Sequence, residues 1–263
     1  MAKLPVQPTI VIDFEGSGPR IASMRDAEGD SILGFGIVAG YMDPETGMPV
    51  IARRMSVGIV ALNPWELVPS TTGEWLALWK LRSWNWTGED STFDFWSGRA
   101  DPSDHGKLTG HLPALTNLWT QPKPGDAFYE THHVTQSYVE AANMLDEFLG
   151  AVEHVSPTGS YVWVTDNAAY DTCLAFGLLT QNGKLPMTHL RNGQYRWHGT
   201  YDEDSLLVQR PLATIDWERD VSGPRKVFHE KALAALPMPN QPHHPQVDAA
   251  TILLRHLFAS APK

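Results

Sequence analysis

The chain has 263 residues, 42% of them hydrophobic and 19% charged, a formal net charge of −10 and a single cysteine. That length is enough to bury a full core as one domain, and the acidic balance excludes a protein that coats nucleic acid by bulk electrostatics. The lone Cys173 excludes an internal disulfide and a cysteine-based zinc cluster.

The N-terminal stretch MAKLPVQPTIVIDFEG has an apolar run that Asp13 interrupts, so it reads as neither a signal peptide nor a membrane span. A cytoplasmic protein without membrane contact is expected. Residues 9–12 predict the first strand of a buried sheet, and it runs into Asp13, Phe14 and Glu15. Side chains two apart on a strand share a face, so both acids lie on one side while Phe14 turns to the other. Like charges that close raise each other's pKa and cost stability unless something positive sits between them. The strand end therefore asks for a cation.

Residues 30–60 predict two further strands joined by a hairpin turn at DPETG, residues 43–47. The glycines of GFGIVAG fall inside a strand and not at a strand–helix turn, so they do not make a dinucleotide loop. From 63 to 131 the periodicity fails in favour of Trp, Gly, Pro and Asp, and only short helical turns are expected. Trp75 and Trp79, at helical spacing, read as packing. Phe95 and Trp96 are candidates for stacking on a base, with core burial as the other reading.

Residues 134–152 predict a helix with Val139, Ala142, Leu145, Phe148 and Leu149 on one stripe and Gly150 as its stop. A fourth strand is expected at 160–166 and a helix from NAAYDTCLAFGLLTQ, with Asp171 in its first turn. A second irregular stretch spans 184–210, followed by a fifth strand at PLATID, 211–216. Helices at 226–236 and 247–259 close the chain, separated by the Pro-rich loop PMPNQPHHPQ. His132-His133 and His243-His244 resemble metal pairs, but the absence of cysteine partners and of a His-Glu-x-x-His helix argues against zinc. The order of elements describes an α/β domain with a mixed five-stranded sheet flanked by helices.

Asp171 opens a helix at the carboxyl end of a strand, where the helix dipole favours a carboxylate and α/β ligand sites collect. Asp248 opens the last helix, with His243 five residues before it on a loop. With Asp13 and Glu15 these make four carboxylates able to ring hard divalent cations such as Mg²⁺ or Mn²⁺. Two such ions are a standard means of hydrolysing a phosphodiester.

Asp13-Phe14-Glu15 on a first strand, Asn167-Ala168-Ala169-Tyr170-Asp171 entering a helix, and His243 with Asp248 entering the last helix stand here in one order. In that order they resemble the DnaQ-like, or DEDDh, 3′→5′ exonucleases of the ribonuclease H-like fold. The resemblance covers about 9–60 and 134–258, and the segment TFDFW at 92–96 resembles the stand-alone phage exonucleases of that superfamily. Of eleven histidines, only His243 is followed at this spacing by an aspartate.

The resemblance implies a single exonuclease domain over 1–263, with insertions at about 63–131 and 184–210. It implies two Mg²⁺ or Mn²⁺ ions, one held by Asp13, Glu15 and Asp248, the other by Asp13 with Asp171 assisting. His243 is implied as the general base. Phe14, Gly16, Ser17, Asn167 and Trp96 are the expected substrate-binding positions, Gly16-Ser17 standing where family members often carry Thr. The expected substrate is the 3′ end of a single strand, DNA somewhat before RNA, and the product a 5′-nucleotide. The rival readings are an endonuclease or small-nucleotide phosphodiesterase on the same metals, and a nucleic-acid-binding module without turnover.

Overall fold

In the computed structural model described here, β1 (Thr9–Gly16) forms where the apolar run predicts it. The model describes residues 3–16, 32–60, 112–165, 168–181, 200–202, 224–241 and 243–260. β2 (Ile32–Met42) and β3 (Pro49–Ile59) follow as the expected hairpin, β2 antiparallel to β1 and β3 antiparallel to β2. Asp43 makes their turn: its Oδ1 accepts from the Glu45 N–H at 3.0 Å and its Oδ2 from the Thr46 hydroxyl at 2.7 Å. Gly47 completes the turn at φ 66°, a left-handed conformation that costs glycine little.

The remaining elements are α1 (Leu112–Leu118), β4 (His132–Thr135), α2 (Tyr138–Val155), β5 (Val162–Thr165), α3 (Ala168–Gln181), β6 (Thr200–Asp202), α4 (Pro224–Ala235) and α5 (Pro245–Ser260). The strands order as β4-β3-β2-β1-β5-β6. β4 lies parallel to β3, β5 parallel to β1, and β6 parallel to β5. This is the α/β class with a mixed sheet and flanking helices that the sequence implies.

Several details differ from expectation. The sheet has six strands among the described residues and not five, because residues 132–135 pair with β3 at the start of the expected helix and residues 200–202 pair with β5 inside an expected irregular stretch. α2 begins later, at Tyr138, where Ser137 caps it by accepting from the Glu140 N–H at 3.3 Å. Thr135 donates its hydroxyl to the Glu140 carboxylate and accepts from Ser137 N–H, so the capping group is tied to the strand. α2 then runs through Gly150 to Val155, and its C-cap is Ser156, next to Pro157, which cannot continue a helix.

Val139 is exposed, about a third of a turn from the buried stripe of Ala141, Ala142, Leu145, Phe148, Leu149 and Val152. Within the expected irregular stretches, residues 112–118 are helical and residues 200–202 form β6. PLATID lies outside the described residues.

The core has two halves, one on each face of the sheet. Ile10, Ile12 and Phe14 of β1 join Phe35, Ile37 and Ala39 of β2 beneath α2 and α3. Val11, Val38 and Val164 join Val247, Ile252, Leu253 and Leu257 of α5 on the other face, with α4 packed against α5. The strand period of two assigns each residue its side, and Asp13 and Glu15 therefore fall on the α5 face. No helix among the described residues is long and apolar enough to cross a membrane.

Candidate metal centre

Pairing in register sets Asp13 of β1 opposite Gly36 of β2, and Glu15 opposite Gly34. The glycines empty the face beside the acids. A Cβ on Gly36 would lie 2.1 Å from the carbonyl carbon of Pro245 and 2.3 Å from the Gln246 nitrogen. The first turn of α5 therefore rests on bare strand backbone. Similarly, a Cβ on Gly58 would meet the Leu118 carbonyl oxygen at 1.8 Å, so α1 ends against the same face.

The loop before α5 is tight. His244 N–H donates to the Gln241 carbonyl at 3.1 Å, closing a turn in which His243 stands at φ 55°. His243 is the one non-glycine residue at positive φ among the described residues, a conformation that costs an ordinary side chain energy and collects at functional sites. The His244 carbonyl accepts from the Val247 and Asp248 N–H groups at 2.7 and 3.0 Å, and Pro245 holds the first helical position, where its missing N–H costs nothing. Asp248 thus sits in the first turn of α5, near the positive end of the helix dipole.

These constraints bring three side chains together. One ligand atom each of Glu15, His243 and Asp248 lies within 4.8 Å of the others, and all three residues are half-buried. Asp13, also half-buried, lies on the same face of β1 but outside this group.

Asp171 is placed by a different contact. The pairing of β1 with β5 ends at Val11 and Val164, so among the described residues no strand pairs with that side of β1 at Phe14. The Phe14 N–H donates instead to Asp171 Oδ1 at 3.0 Å. Asp171 is only 2% exposed, and a buried N–H left without such an acceptor costs about 1–3 kcal/mol. Asp171 therefore fixes the segment that carries Asp13 and Glu15.

Of the expected substrate-binding positions, Phe14 turns its ring into the core, 5.3 Å from Phe35. Alternation along β1 requires this, since Phe14 lies between two residues facing the other way. Gly16 ends β1 just past a register shift at Glu15/Gly16, the kind of irregularity that re-aims residues beside active sites. Ser17, Trp96 and Asn167, with Phe95, lie outside the described residues.

The two adjacent histidines separate completely. The His244 ring is 2% exposed, stacked on Phe128 with centroids 4.3 Å apart, and 5.5 Å from the His132 ring. Burial first, and then the nearby His132, holds the His244 pKa down to about 3. The left-handed backbone at His243 lies at the point where the two side chains part. His132 is buried as well, bonded to Ser56 and Leu118, and does not form a surface metal pair with His133. Burial holds its pKa down to about 4.

Sequence reasoning missed Ser56, Phe128 and Gln246 and the buried role of His132: Ser56, His132 and Gln246 form a polar floor under the α5 start, and Phe128 stacks on His244 beside it. Among the glycines, only the run GFGIVAG hinted that something approaches the strand closely.

No family model and no curated protein sequence matches this chain. A solved structure that it resembles is the nuclease domain of 3'hExo, described as a DEDDh family member bound to rAMP. The identity is 12%, the match covers 99% of this chain and 96% of that one, and the TM-score is 0.41.

Proposed function

We propose that this protein is a divalent-cation-dependent 3′→5′ exonuclease that hydrolyses the terminal phosphodiester of a single nucleic-acid strand, DNA somewhat before RNA, to 5′-nucleotides. The observation that carries the reading is the convergence of Glu15, His243 and Asp248 within 4.8 Å from a strand end, a loop and a helix start. These are residues of the motif by which the sequence resembles that class. Asp171, the motif's remaining helix acid, is bonded to the strand that bears the first two.

The donor set fits a hard cation. It is rich in carboxylate oxygens, reachable from solvent, and lacks any thiolate, which suits Mg²⁺ or Mn²⁺. Asp13, Glu15 and Asp248 would hold one ion, and Asp13 a second, with Asp171 assisting. When bound, such ions supply positive charge to the attacking and leaving oxygens of the phosphodiester. His243 takes the proton of the attacking water, work suited to imidazole because its ordinary pKa lies near neutrality. Asp171 holds β1 in place through Phe14, and α5, resting on Gly36 at Pro245 and Gln246, carries Asp248 in its first turn.

Incubating 3′- and 5′-labelled single strands of DNA and RNA with Mg²⁺, Mn²⁺ or EDTA tests the reading. The expected result is early release of a labelled mononucleotide from the 3′ end, a shortening ladder from the 5′ label, and no reaction in EDTA. Internal cuts, or cleavage of small nucleotide esters alone, would assign a different enzyme to the same residues. Intact strands under every condition would overturn the proposal.

A further inference from the structure

Beneath the first turn of α5 runs a chain of buried hydrogen bonds whose polarity can be worked out. His132 Nε2 lies 3.0 Å from the Leu118 carbonyl oxygen, which only accepts, so Nε2 carries the proton. In the neutral ring Nδ1 then accepts, and the Ser56 hydroxyl, 2.8 Å away, donates to it. Ser56 Oγ is left as an acceptor, and Gln246 Nε2–H fills that role at 3.2 Å. The amide nitrogen also donates to the Thr131 carbonyl at 3.3 Å, and the Thr131 hydroxyl stands beside the amide, 3.2 Å from its nitrogen and 3.3 Å from its oxygen. The Thr131 carbonyl oxygen fixes which way the amide faces, because a reversed amide would set two oxygens together. Each bond thus dictates the next, from Leu118 to Gln246.

Gln246 has no exposed surface. It lies three residues after His243 and two before Asp248, in the helical turn that rests on Gly36. An apolar side chain would serve burial equally well there and avoid desolvating an amide. A directional bond is what the amide adds, and it runs to β3 and to the loop preceding β4.

We infer that Gln246 is a positioning residue which, through Ser56 and Thr131, sets the start of α5 so that His243 and Asp248 stand against Glu15. The inference rests on the exonuclease reading for its kinetic consequence, but the positioning itself is read without turnover.

The experiment compares wild type with Gln246→Met, which keeps length and loses the amide, with Ser56→Ala, and with the double variant. Two readouts are taken: histidine ring ¹⁵N–¹H spectra without metal, and steady-state hydrolysis of a labelled single strand with Mn²⁺ well below the melting temperature. The expected result is that His243 ring resonances move in each variant and that kcat falls roughly 10²-fold in Gln246→Met, the scale of a misplacement near 1 Å, while KM stays level. The double variant should be no slower than Gln246→Met, since both act along one path. A role confined to stability would leave His243 and kcat unchanged in the folded variants, and that result would overturn the inference. If Gln246→Met fails to fold, Ser56→Ala decides by the same two readouts. If wild type cleaves nothing, the functional reading fails, and the His243 resonances alone decide the positioning.

Discussion

The two faces of the sheet are built from alternate residues of the same strands, yet they solve the packing problem in opposite ways. Under α2 and α3 the strands present Ile10, Ile12, Phe14, Phe35 and Ile37, and the helices meet them with bulky side chains such as Phe148 and Leu149. Under the start of α5 and the end of α1 the strands present Gly34, Gly36, Ser56 and Gly58, and at Gly36 and Gly58 helix backbone meets strand backbone. The first face is held by buried volume, where a lost side chain leaves a cavity that neighbours can partly fill. The second has apolar packing further along α5, at Val38, Ile252 and Leu253, but beside the acids it is held by close approach and by bonds of fixed direction, where there is little slack. A cluster of like charges needs its members held firmly, and the acids stand on the second face.

The largest effect expected from breaking this contrast falls on rate. His243→Ala should lower turnover roughly 10²–10⁴-fold, the usual worth of a general base, with Mn²⁺ affinity largely kept. His244→Ala should retain most of the rate but lose ~2 kcal/mol of stability or more, because it removes a buried ring stacked on Phe128. Strand hydrolysis and urea denaturation of both variants check the pair, and a reversal of the two phenotypes would overturn the assignment.

Next comes a pair of packing changes. Gly36→Val should cost more than the ~1–3 kcal/mol usual for overpacking, because its Cβ meets helix backbone at 2.1 Å. It should also abolish turnover in whatever fraction folds. Phe148→Ala should cost ~3–5 kcal/mol and leave turnover intact below its lowered melting temperature. Equal activity losses at matched fraction folded would show that the faces do not differ as described.

A smaller effect is expected from pH. The unfolded His132 ring takes a proton near its ordinary 6.5, whereas burial keeps the folded ring neutral down to about 4. The folded pKa is lowered, so the unfolded state binds the proton first as acid is added. Stability is complete above about 6.5 and declines as pH falls toward 4, by about 1.4 kcal/mol per pH unit for that ring. Denaturation midpoints across this window should show the slope in wild type and a flatter one in His132→Gln.

Much of the second face was legible in the chain because its signals are local. The alternation that puts Asp13 and Glu15 together needs three residues, and the helix starts bearing Asp171 and Asp248 announce themselves by an acid after a strand or a Pro-rich loop. What stayed hidden depends on contacts far along the chain. Gln246 reads as the last residue of the Pro-rich loop until Ser56, 190 positions away, is seen beside it. The second half of β4, residues 134–135, reads as helix because four residues at a sheet edge carry too short a pattern to show a period of two. The sequence Ser137-Tyr138-Val139-Glu140 did carry the serine-to-glutamate spacing of a helix cap, which would have located the start of α2 and freed β4. Gly36 was seen as a strand glycine, but nothing nearby tells which element it admits.

The most direct measurement of the central claim, that the α5 face is a divalent-cation site, is the melting temperature with and without Mn²⁺ for wild type, Glu15→Gln and Phe148→Ala. An ion that binds only the folded state adds ~2.7 kcal/mol at a hundredfold excess over Kd, several degrees for a chain of this size. Wild type and Phe148→Ala should rise by similar increments from different baselines, and Glu15→Gln should not rise. No shift in wild type, or the same shift in Glu15→Gln, would contradict the claim.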